Sequence, residues 1–196
     1  VQSTGTKGAS FVLFTAGTVA TLTDSVTTGR GYYGLLLDRF SGGSVATVAD
    51  HSSNGAVGPG ITVTTFTGGS ALAISDTTAI GTTIGILIKA IGTVSTVTVA
   101  RSDFSGGSEK GIDVQTITGG STLVLEEVVA SSDTLQGAYL NLVTASAIDV
   151  DDLIAVSSAA EGLYVNEISA STVAMNKVDA HASGAAAGAG ATIAKI

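Results

Sequence analysis

The chain has 196 residues, 44% of them hydrophobic and only 12% charged, with a net charge of -8. It lacks cysteine and tryptophan, which excludes a disulfide scaffold, a thiolate nucleophile and thiolate-held zinc or iron–sulfur. A mean hydropathy of +0.50 does not fit the disordered class, and 8 basic against 16 acidic residues argue against binding a phosphate backbone.

Residues 1–8 form no clear element and are expected to be an extended N-terminal arm carrying Val1 and Gln2. A first residue other than Met is compatible with a removed leader or with a trimmed initiator methionine. Downstream, apolar residues alternate with threonine and serine at a period of two, as in Ile61–Phe66. That is the signal of a half-buried strand. Strands are predicted over 10–15, 19–23, 32–38, 45–49, 61–66, 71–75, 84–88, 97–99, 112–118, 122–129, 138–144, 153–157, 163–168 and 172–177. A short helical turn around 126–135 is the only helix candidate, and the same residues can end a strand. No stretch of about eighteen apolar residues occurs, so no membrane-spanning helix is predicted.

Turn residues separate these strands at a spacing of about ten, which predicts an all-β fold: an antiparallel β-sandwich, jelly-roll or barrel. A Gly-Gly-Ser motif recurs at Gly42, Gly68, Gly106 and Gly119, each time preceded by an apolar residue and a Ser or Thr. The glycine pair suits a tight hairpin. The copies are unequally spaced, which argues against a solenoid or propeller. All lie before the shift to Ala, Asp, Ser and Leu near Ser131, so the chain divides softly into a β-rich domain 1–130 and a β extension 131–196. The latter ends in an Ala/Gly-rich arm, whose Ile193 and Ile196 need apolar partners.

Candidate chemistry is thin. His51 and His181 are the two histidines, and both read as solvated loop residues. No nucleophile elbow, phosphate loop, dinucleotide fingerprint or His-Glu-x-x-His occurs. No N-glycosylation sequon occurs either. Asp149, Asp151 and Asp152 form an acidic cluster that suits a hard cation, so calcium is the one cofactor weighed. The bland alternative is a solvated turn whose aspartates cap the backbone. Tyr32 and Tyr33 could offer one aromatic face to a sugar, the other ring facing the opposite way.

The strand edges look poorly guarded, because the chain has five lysines, Lys7, Lys89, Lys110, Lys177 and Lys195, and a single proline, Pro59. The sequence therefore reads as a non-enzymatic structural subunit of a large assembly. The form expected is a phage-type capsid decoration or cement protein, held by its arms to copies of itself or to a major capsid or surface-lattice protein, on a virion or cell surface. An extracellular filament or surface-layer subunit is one alternative. A secreted adhesin or carbohydrate-binding module is another.

Overall fold

A computed structural model describes residues 2–184 and 190–195. Every described element is a strand: β1 (Gln2–Gly5), β2 (Ala9–Phe14), β3 (Val19–Gly29), β4 (Leu35–Phe40), β5 (Val45–Gly55), β6 (Ile61–Phe66), β7 (Ala71–Ser75), β8 (Thr78–Gly81), β9 (Ile86–Ile91), β10 (Thr96–Gly106), β11 (Ile112–Thr118), β12 (Thr122–Ser132), β13 (Ala138–Thr144), β14 (Ala147–Ser157), β15 (Leu163–Ser169), β16 (Thr172–Ala182) and β17 (Ala191–Lys195). All described pairings are parallel. One sheet runs β1-β3-β5-β7-β10-β12-β14-β16, with β8 between β5 and β10; the other runs β2-β4-β6-β9-β11-β13-β15-β17. The chain is a β-solenoid of about 7 turns, each adding about 4.8 Å of axial rise.

Each long strand bends once. Asp24, Asp50, Arg101, Glu127, Asp152 and Lys177 have positive φ, and the ladders skip them: Thr23 pairs Ala49 and Ser25 pairs His51, leaving Asp24 and Asp50 out. The extra residue shifts the alternation by one, so Ala46 and Val48 point inward before the bend, and His51 and Ser53 after it. This is the effect of a β-bulge. Asp76, also at positive φ, falls in the gap between β7 and β8.

The core is a set of columns. Leu35, Ile61, Ile86, Ile112, Ala138 and Leu163 lie in register and buried. Beside them Phe14, Phe40 and Phe66 stack with centroids 4.6 and 4.4 Å apart, and Ile91 and Ile117 continue the column. Where Phe104 enters the interior, its register neighbours are Ala79 and Ala130. Small residues above and below make room for the ring, as close packing requires.

The antiparallel sandwich, jelly-roll or barrel predicted above is therefore wrong. Alternation marks a strand but not the direction of its partner. A coil of several short straight segments has the same turn spacing as a run of hairpins. The glycine pairs are corners, not hairpins: Gly43 N–H donates to the Gly68 carbonyl of the next coil at 2.9 Å. Gly42, Gly43, Gly68, Gly69, Gly119 and Gly120 all have φ between 64° and 75°. The serine that follows is buried and turned into the stack, with Ser70 N–H donating to Ser95 Oγ at 3.2 Å and Ser95 N–H to Ser121 Oγ at 3.3 Å.

The unequal spacing that argues against a solenoid comes from Gly106 alone. Gly106 ends β10, at a different corner. The other copies recur in step with the coil, whose cross-coil partners lie 25 or 26 residues apart. The predicted arms are also corrected. β1 pairs with β3 and β17 with β15, so the described parts of both segments are rungs of the stack. The stretch 126–135 considered for a helical turn is instead the bend and second half of β12, to Ser132, followed by the next corner. The ladder between β12 and β14 passes through Ser131 without a break.

Two substitutions test this reading of the corners. Thr93 and Val94 occupy the glycine-pair corner with φ of 54° and 58°, and Val94 is 69% exposed. Left-handed geometry costs an L-residue about 1–2 kcal/mol, part of which glycine's greater unfolded freedom cancels. Val94→Gly is expected to raise stability by about 1 kcal/mol in urea unfolding. Gly111→Ala should lower it by about 2 kcal/mol or more, because the new Cβ would sit 2.5 Å from Ser131 N and 2.6 Å from the Gly137 carbonyl oxygen.

Candidate functional site

Hydrogen bonds between coils saturate the strands internally, so the surfaces left for function are the two end faces and the outer faces of the sheets. At the N-terminal end Phe11, Phe14 and Leu22 are only partly buried against the core. Val12, Leu13 and Val19 are 49%, 58% and 67% exposed. At the other end Val173, Met175 and Val178 likewise pack on the core from one side. Ile168, Val173, Met175 and Ile193 line an opening of about 470 Å³ there. In interior coils the equivalent positions are closed: Val97, Leu123 and Ile148 are at most 1% exposed, whereas Val173, in register with Ile148, is half-buried.

The two predicted assembly residues that the structure describes fall at these ends. Gln2 lies on β1 opposite Val26. Ile193 lies on β17 opposite Val165 and is 48% exposed. Val1 and Ile196 lie outside the described residues.

Asp149 and Asp151 face outward from β14 on either side of the buried Val150, and Asp152 sits on the bend with φ 58°. Asp151 accepts a hydrogen bond from Asn176 Nδ2 at 2.7 Å and lies 3.9 Å from Lys177 Nζ. Among the described residues no three His, Asp or Glu side chains are grouped so as to hold a metal ion.

The histidines divide. His181 is exposed, its Nδ1 3.1 Å from Asp179 Oδ1. His51 is not a loop residue: it lies inside β5 and is 3% exposed. Its Nδ1 is 2.9 Å from Ser25 Oγ and its Nε2 3.1 Å from Thr27 Oγ1. Thr27 Oγ1 is 3.1 Å from Ser53 Oγ, which donates to the Gly60 carbonyl at 2.7 Å. The Ser25–His51 spacing suits a nucleophile and its base. Both ring nitrogens, however, are engaged by hydroxyls in the interior, so the group acts as a satisfied polar plug in the core. Burial holds the His51 imidazole below its ordinary range, more strongly than the backbone of Ser25 raises it.

A second polar cluster escaped the sequence reading. Asp113 is 4% exposed on the outer face of β11. One carboxylate oxygen is 3.1 Å from Lys110 Nζ, and the other is buried with no hydrogen-bond partner among the described residues. Lys110 also lies 4.4 Å from the centroid of the Tyr139 ring, which stacks on Tyr164 at 5.5 Å. Burial, then the Asp113 charge, pushes the Tyr139 phenol up. No local motif announces this cluster; only the coil period places Asp113, Tyr139 and Tyr164 in one column.

The buried imidazole gives a pH prediction. The folded state disfavours the charged ring, so the unfolded chain binds more protons and stability rises with pH. Stability should fall as pH drops through about 6.5, the unfolded value, and level off once the lower folded value is passed. Urea midpoints measured at half-unit steps should show this slope in the parent chain and not in His51→Gln. No family model matches this chain, and no curated protein or solved structure matches it either.

Proposed function

We propose that the chain is a non-enzymatic structural subunit: a stiff β-solenoid segment whose end coils are covered by the end coils of a neighbouring copy. The observation that carries this reading is the contrast between closed interior columns and open ends. Positions that are at most 1% exposed within the stack become half-buried at β16. The open face is apolar and ends in strand edges, whose backbone groups favour addition of a further parallel strand. Stacking one solenoid on another continues the same ladder and covers the same columns. Such contacts are head-to-tail, so they propagate rather than close. This favours a filament or surface-lattice subunit over a capsid decoration protein held by arms, since the segments expected to be arms are rungs of the solenoid.

The absence of cysteine makes the test clean. A chain carrying Leu13→Cys and Ile193→Cys should give a ladder of disulfide-linked multimers on oxidation, while either single variant stops at dimers. Sedimentation of the parent chain should show concentration-dependent growth, and Met175→Asp should reduce it to the monomer. A parent chain that stays monomeric at millimolar concentration and forms no ladder would overturn the proposal.

A further inference from the structure

The outer face of the second sheet differs between its two halves. In the later coils the tyrosines and asparagines on it partner one another. Tyr139 stacks on Tyr164, Lys110 caps Tyr139, and Tyr139 Oη donates to Asn141 Oδ1 at 3.1 Å, which also accepts from Asn166 Nδ2 at 2.9 Å. In the earlier coils the equivalent positions are Leu36, Thr62 and Leu87, in register on β4, β6 and β9. They line an open groove of about 530 Å³. That volume is in the range of pockets for small ligands and short oligomers.

One rim of the groove is made by the corners that precede these strands, with Tyr32, Tyr33, Val57 and Pro59. Tyr32 and Val57 are 59% and 58% exposed. Further along the strands the lining turns polar, with Asp38, Thr64 and Lys89. Asp38 accepts from Thr64 Oγ1 with one carboxylate oxygen and from Arg39 Nε at 3.2 Å with the other. A carboxylate has about four acceptor sites, so Asp38 keeps capacity for a ligand donor. Lys89 is exposed and makes no hydrogen bond or ion pair among the described residues.

These features select a ligand class. A free anion would meet the Asp38 carboxylate. A metal ion would find a single carboxylate, already engaged. A purely apolar ligand would bury the Lys89 ammonium without a partner and leave the remaining acceptor sites of Asp38 unmet, which is costly. A protein partner needs a broader apolar patch than the two exposed rim residues provide. What fits is a molecule with apolar C–H faces for the tyrosine ring and hydroxyls able both to donate and to accept. We propose that this groove is a saccharide-binding site, in which Tyr32 stacks on a pyranose ring of a neutral oligosaccharide while Asp38, Thr64 and Lys89 hydrogen-bond its hydroxyls. The site lies on the outer face of the second sheet, and its lining begins one coil in from the N-terminal end, where Leu36 and Asp38 pair with Ser10 and Val12 of β2.

The test titrates isotope-labelled chain with soluble tetrasaccharides of glucose, mannose, xylose and N-acetylglucosamine in their common linkages, followed by amide chemical shifts and calorimetry. At least one should bind and shift Gly31, Tyr32, Gly58, Leu87 and Lys89. Tyr32→Ala should weaken that ligand by about tenfold without changing the melting temperature, as should Lys89→Ala to a smaller degree. Tyr164→Ala, in the self-satisfied half, should bind as the parent does. If Tyr32→Ala proves unstable, Thr64→Val supplies the same comparison. The proposal is overturned if no tetrasaccharide binds at millimolar concentration, if the shifts map elsewhere, or if the groove variants bind like the parent.

Discussion

In-register parallel stacking places each side chain over its counterparts in the adjacent coils, 25 or 26 residues away through most of the chain. The axial rise is fixed at about 4.8 Å by the backbone hydrogen bonds, so the coils cannot separate to relieve a poor fit. Each column must therefore be compatible with itself. The stacked phenylalanines, the serine column behind the glycine corners and the left-handed residues at each bend are three solutions to that one demand. Where like does not stack on like, size alternates instead, as with Phe104 between Ala79 and Ala130.

The same constraint organises polar groups. A buried hydroxyl or imidazole is tolerable only if a neighbouring coil supplies its partner. Ser25, Thr27, His51 and Ser53 supply one another across adjacent coils. From Val128 onward the column that begins with Ser25 and His51 becomes apolar, continuing through Leu153. Outside, Asn141 and Asn166 form the corresponding surface pair, and Arg101 reaches Asp76 with two contacts of 2.8 Å. Charge at the bends is thus arranged by coil rather than by sequence neighbour.

How much of this was legible follows from the residues. Most first halves of the bent strands, such as β5 at Val45, were visible because their inward residues are Val, Ile, Leu and Ala. Most second halves were not, since at His51 and Ser53 the inward residues are polar and the stretch resembles a surface loop; β14 is the reverse, its second half Leu153–Ser157 being legible and its acidic first half not. The bends were invisible because Asp24, Asp50 and Asp152 look like ordinary turn aspartates. Parallel direction was unreadable from alternation, and one Gly-Gly-Ser copy at a different corner hid the period. The C-terminal edge strands do carry lysines, Lys177 on β16 and Lys195 on β17, and the segments expected to be arms are rungs. The groove was half legible: Tyr32 was singled out, but Asp38, Thr64 and Lys89 join it only once the coils are stacked.

A stack in which each coil touches only its neighbours has no reason to be equally firm along its length. The early coils hold their interior partly through hydroxyls and an imidazole, which water can replace on opening. The middle coils, around Phe104, Ile112 and Leu125, hold theirs with close-packed hydrocarbon. Fraying is expected from both open ends, and from the N-terminal one it should advance coil by coil until the hydrocarbon begins. The molecule is polar in a mechanical sense, with a soft end and a hard middle.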